Sequence, residues 1–150
     1  MTTDPSASDG PGPKLAAEDA KLLVLARSAR LRAYVPDGSV SQGAALRDTD
    51  GRTYIAATLG LARADLAISA LRAAIAAAVS SGARRFEAAA IVTGEPTSAA
   101  TGSGGESTSA ATGSVDGLTA DDRATLAEFG PGVPVFLAGP DGALRARTTS

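Results

Sequence analysis

The chain contains no cysteine, no histidine and no tryptophan, and its aromatic residues number only five: Tyr34, Tyr54, Phe86, Phe129 and Phe136. Without cysteine there are no disulfides and no thiol nucleophile. Without histidine there is no Ser-His-Asp catalysis. The two absences together remove the nitrogen and sulfur ligands of ordinary zinc sites, and a zinc site of carboxylates alone would be very unusual. Net charge is small as well: fourteen basic against sixteen acidic residues leave −2, so no global field draws nucleic acid or a membrane surface. The longest wholly apolar run, residues 73–79, is far too short to span a bilayer. No charged-then-apolar leader opens the chain, and a soluble, cytoplasmic protein is expected.

A length of 150 residues suits one domain. Residues 1–13 hold three prolines and two glycines among small polar residues, too little apolar surface to offset chain entropy. The expected organisation is therefore a disordered tail over 1–15 and one domain over 16–148. Arg27, Arg30 and Arg32 form the densest basic stretch, which reads as a solvated helix face because no stacking aromatics accompany it. A core so rich in alanine must be tightly packed rather than bulky.

Along the chain, Leu22, Leu25, Ala26, Ala29 and Ala33 recur at three- and four-residue steps, predicting a helix over about 17–34 that Pro36 closes. Two short strands, 44–47 and 53–58, flank an Asp50-Gly51 hairpin signal. A second helix is predicted over about 65–80, with Ile68, Leu71, Ile75 and Val79 as its apolar stripe and Gly82 at its C-terminal cap. Residues 86–92 form a continuous small apolar run, as in a strand buried on both faces. Thr119, followed by Asp121 and Asp122, opens a short helix to about Phe129. Strands over 133–138 and 143–147 close the chain around the Gly139-Pro140-Asp141-Gly142 turn. A leading hairpin followed by a strand–helix–strand crossover implies an α/β fold with a mixed sheet and helices on its faces.

One stretch breaks the pattern. Residues 94–104 read GEPTSAATGSG and residues 105–115 read GESTSAATGSV, identical at nine of eleven positions. This tandem duplication has no apolar face to stack and reads as a flexible loop over 94–117 that interrupts the domain.

The element order resembles that of the free-nucleoside cytidine deaminases, and residues carry the resemblance too. That family has a stretch like A-Y-x-P-Y-S-x-F-x-V-G-A-A-L; residues 33–46 here read AYVPDGSVSQGAAL. Its D-G-R turn matches Asp50, Gly51 and Arg52. Its long helix and following strand are similar to ISALRAAIAAAVSSGARRFEAAAIVT over 68–93, and its last helix and strand to LAEFGPGVPVFLAG over 126–139. The likeness spans roughly 17–147 and points in particular to small actinobacterial members that lack the zinc site. It implies the family's layered fold, a mixed five-stranded sheet with helices on its faces.

At the functional positions the resemblance implies loss. The family binds zinc through a C/H-x-E element and a P-C-x-x-C element, and the glutamate shuttles the proton. Here the ligand positions are Ser69, Thr119 and Asp122, and the glutamate position is Leu71, expected to make the pocket floor apolar. The family's ribose-binding N-x-E falls on Thr58 and Gly60, and its ring-packing phenylalanine on Val40. An arginine that in the family offsets the zinc thiolates is retained as Arg72, which suggests a relic ion pair with Asp122.

Three readings follow. The first is a catalytically inactive pseudoenzyme without cofactor, acting through an unknown protein partner or through self-association. Active relatives associate through their helices, and the alanine-rich helix over 65–80 either does the same or packs only on its own sheet. The second is a binding module that holds a pyrimidine nucleoside without reacting it. The third is a cytidine deaminase using Ser69, Asp121 and Asp122 as replacement ligands, a donor set better suited to a harder ion than zinc. The changed residues favour the first.

The duplication carries a prediction. Deleting 105–115 should change unfolding free energy by less than about 1 kcal/mol, because closure entropy grows only logarithmically with loop length. Urea melts of the full and shortened chains check this.

Overall fold

The computed structural model describes residues 15–94 and 117–150. The expected N-terminal tail and nearly all of the duplicated loop lie outside these residues. The elements in chain order are α1 (Ala17–Arg30), β1 (Gln42–Asp48), β2 (Thr53–Ala57), a 3-10 turn (Ala64–Leu66), α2 (Ala70–Ser80), β3 (Phe86–Thr93), α3 (Ala120–Ala127), β4 (Pro134–Ala138) and β5 (Leu144–Thr149). The strands form one sheet in the order β2-β1-β3-β4-β5. β3 and β4 run parallel and the other neighbours antiparallel, giving the expected mixed five-stranded sheet.

Side chains alternate across the sheet with the two-residue period of a strand. Ala89 and Ile91 of β3, with Ala44, Leu46, Val135 and Leu137, face α2 and α3, where they meet Leu71, Ile75 and Leu126. Ala88, Ala90 and Val92, with Ala45, Phe136 and Ala138, face α1 through Leu22, Leu23 and Ala26. The result is a sheet covered on both faces, and the run of β3, apolar from Phe86 to Val92 except at the exposed Glu87, is what such a strand requires.

Gly43 shows how close the layers come. A Cβ at this position would lie 2.1 Å from the Ala26 carbonyl oxygen and 2.4 Å from the Arg30 nitrogen, both backbone atoms of α1. Arg47 ties the same helix to the sheet, donating to Asp19 at 2.9 Å, to Glu87 at 2.6 Å and to the Glu18 carbonyl at 3.1 Å. At the β1–β2 turn, Gly51 adopts φ +88°, a conformation glycine takes without steric cost. The buried carboxylate of Asp48 accepts from the N–H groups of Asp50 and Arg52 and from the Tyr54 hydroxyl, each at 2.9 Å.

Element boundaries differ from the sequence reading in two instructive places. The helix expected from residue 65 begins only at Ala70, and Ile68 stands outside it, exposed rather than in the apolar stripe. Ile68 and Leu59 exchange backbone hydrogen bonds of 2.8 and 3.0 Å, which hold the preceding segment extended. Likewise α1 stops at Arg30 instead of Tyr34, because Tyr34 donates its N–H to the Thr58 carbonyl at 2.9 Å. In both cases a tertiary backbone pairing overrides helical periodicity.

Two outcomes follow. Gly43→Ala should cost about 2–3 kcal/mol in urea unfolding, since only backbone could yield to the added methyl. The second concerns acid. Burial alone would raise the Asp48 pKa, but the hydrogen bonds from Arg52, Tyr54 and Asp50 outweigh it and hold the carboxyl below its usual range. A depressed folded-state pKa adds stability that is present above the unfolded value of about 4 and is lost as pH falls through the folded value. Asp48→Asn should therefore flatten the decline of melting temperature below about pH 4.

Candidate functional site

The crossover places two helix N-termini at one end of the sheet. α2 leads into β3 through a short turn, so its N-terminus returns to the end where β3 finishes, and α3 begins there too. Ser69 is the N-cap of α2 and accepts the Arg72 N–H at 3.1 Å. Thr119 is the N-cap of α3 within a complete capping box: its hydroxyl accepts the Asp122 N–H, and its own N–H donates to Asp122 Oδ2, both at 3.1 Å. The two caps meet, because the Ser69 hydroxyl donates to Asp122 Oδ1 at 2.5 Å. Asp122 is fully buried.

Beside this cluster lies a cleft of about 490 Å³ whose lining includes Val40, Gln42, Thr58, Ser69, Arg72 and Asp122. Gln42 braces its wall, donating through Nε2 to the Gly117 carbonyl at 2.7 Å and to Thr93 Oγ1 at 3.3 Å. Its backbone N–H donates to Thr58 Oγ1 at 2.9 Å.

The residues singled out in the sequence thus come together for the most part. Ser69, Thr119 and Asp122 converge, and Val40 and Thr58 line the same cleft. Gly60 does not line it and instead packs against the backbone of Tyr34. Leu71 is sealed in the core between α2 and the sheet and forms no part of the cleft floor, which corrects that expectation. The expected Arg72–Asp122 ion pair is also corrected. Among the described residues no salt bridge joins them, and the Arg72 side chain is exposed. Both oxygens of the buried Asp122 already accept hydrogen bonds, one from Ser69 and one from Thr119, so the carboxylate is held without the guanidinium. Sequence reasoning passed over Gln42 and Thr93 altogether. Their pairing across β1 and β3 is a matter of register that only the folded sheet supplies.

The family's zinc does not fit this site. Its three ligand positions carry two hydroxyls and one carboxylate, and each oxygen of that carboxylate already accepts a protein hydrogen bond. Zinc prefers thiolate and imidazole, which the chain lacks entirely. Among the described residues, no group of three acidic or other strong ligands surrounds any point.

Residues 15–102 match the family profile described as cytidine deaminase-like. The structure is similar to that of a cytidine deaminase from Burkholderia pseudomallei, with 25% identity, TM-score 0.68 and coverage of 90% of this chain and 93% of that one. It is similar also to the cytidine deaminase of Mycobacterium tuberculosis, at 25% identity and TM-score 0.62, covering 87% and 90%. For the enzyme from Mycobacterium leprae the values are 24%, 0.64, 90% and 94%. No curated protein sequence matches significantly.

The geometry separates the roles of two neighbours. Thr119→Ala removes an N-cap and should lower stability by about 1 kcal/mol, whereas Arg72→Ala, at an exposed side chain with no ion pair among the described residues, should stay within about 0.5 kcal/mol of the parent. Equal losses for both would show that Arg72 carries a structural contact after all.

Proposed function

The chain belongs to the cytidine deaminase-like family, and we propose that within it this protein does not deaminate and serves instead as a pseudoenzyme whose surface is the working part. One observation carries this reading: hydroxyl and carboxylate side chains have closed on one another at the positions where the family holds its metal. Hydrolytic deamination needs a water made nucleophilic near neutral pH and an acid to protonate the ring nitrogen. Neither need is met by the residues at hand. Leu71, at the position of the proton-shuttling glutamate, is apolar and fully buried.

The working surface we infer is one for association with a protein partner or with a second copy. On α2, Ala76 and Ala77 are exposed, leaving a flat face that permits close approach. Around α1 and its exit, Val24, Leu31 and Tyr34 present apolar side chains to solvent, Leu31 at 77% exposure. Among the described residues, no helix is long and apolar enough to cross a membrane. A cytoplasmic location is consistent with the family.

The cleft favours a second reading, retention of a pyrimidine nucleoside without turnover, since it keeps a volume of about 490 Å³ and polar walls at Gln42 and Thr58. Loss of the family's ribose contacts and stacking aromatic weighs against tight binding.

Purified protein incubated with cytidine or deoxycytidine should form no uridine product, and light scattering should find it larger than a monomer. Turnover that survives repurification would return the protein to the deaminases. Thermal shift with cytidine and uridine decides the second reading, which requires a rise in melting temperature.

A further inference from the structure

Asp122 is a fully buried carboxylate with no cation bonded to it among the described residues. A charge so placed is costly unless surrounding dipoles hold it. Here they do. The N-termini of α2 and α3 both end at Asp122, and each helix presents the positive end of its dipole there. The Arg72 N–H donates to the Ser69 hydroxyl, which passes its own hydrogen to Oδ1 at 2.5 Å, so the first turn of α2 reaches the carboxylate through one relay. Thr119 donates to Oδ2 directly, and the Asp122 N–H returns a bond to the Thr119 hydroxyl. Hydrogen bonds to a carboxylate are shorter and stronger than neutral ones, and linked bonds polarise one another.

We propose that Ser69, Thr119 and Asp122 form a metal-independent cross-link between the two helix N-termini, with the charge pattern of the family's centre inverted. In place of a cation ringed by anionic ligands, the site is an anion ringed by hydroxyl and amide donors. The cluster thereby does the structural work of a metal and at the same time disfavours one, because a divalent cation would face two positive helix ends and only one carboxylate, whose two oxygens already accept from protein donors. This rests on the non-deaminating reading, and it accounts for the release of Arg72 to solvent, since no thiolates remain for it to offset.

The test uses the full chain. Thermal melts with zinc added, and with a chelator, should superimpose. Ser69→Ala and Asp122→Asn should each lower the melting temperature by roughly 5 °C, and the double variant should fall by clearly less than the sum, because either change already breaks the shared bond. Ser69→Thr, which keeps a hydroxyl, should restore most of the loss seen in Ser69→Ala. If Asp122→Asn does not fold, Ser69→Gly decides the matter alone: glycine is nearly as good an N-cap as serine but has no hydroxyl to donate, so the cross-link requires a loss close to that of Ser69→Ala. Additive losses, or a glycine variant that melts close to the parent, would reduce Ser69 to an ordinary cap and overturn the cross-link while leaving the non-deaminating reading intact. Stabilisation by zinc would overturn the cross-link, and zinc-dependent uridine formation would overturn both.

Discussion

A sheet buried on both faces must be covered on both, and how closely it is covered depends on the size of the side chains between the layers. In this protein alanine is the commonest of those side chains, eleven of the twenty-five buried apolar residues among the described ones. Ala88, Ala89 and Ala90 follow one another along β3 with no exposed position among them, and Gly43 on the neighbouring strand leaves α1 almost in backbone contact with β1. Interiors pack at crystal-like density, so helices over such a surface cannot slide or tilt far. On the opposite face Ala44 and Ala89, with Leu46, Ile91, Val135 and Leu137, seat α2 and α3, and the cluster at the two N-termini depends on that placement.

A buried hydrogen bond of 2.5 Å between two helices demands such rigidity. Helix α2 starts at the site and leads through a short turn into the central strand β3, and α3 starts there on the way to the parallel neighbour of that strand. Both are seated on the same apolar layer through Leu71, Ile75, Leu118 and Leu126. Leu71 illustrates the exchange the family scaffold has made here. At the place of a catalytic carboxylate, it contributes apolar packing to the layer that positions the caps. An unpaired acid buried at that depth would be unfavourable, whereas a leucine there adds to the core.

The walls of the cleft are held by bonds that do not involve Ser69, Thr119 or Asp122. Gln42 joins Gly117 and Thr93, and Thr58 is fastened to the Gln42 backbone. A cavity supported in this way survives substitution of the groups at its base.

Much of this was legible in the residues alone. Three-four periodicity marked the first two helices, capping residues the third, and apolar runs and turn signals the strands. The missing cysteine and histidine were plain in the composition, and the likeness to the family drew attention to Ser69, Thr119 and Asp122, which the fold brings together. These features are local or compositional, and a linear string records them fully. Helix ends were not legible in the same way: Ile68 and Tyr34 leave their helices because each pairs with the loop after β2, a partner distant in sequence. Nor was the fate of Asp122. Charge and family likeness suggested Arg72 as its partner, but the fold turned one residue outward and sealed the other against Ser69, fifty-three positions away. Composition and periodicity determine which groups exist and which face of an element they occupy. Which of them meet is decided by burial, since the carboxylate that is closed off from water must take its hydrogen bonds from whatever donors the packed layers bring to it.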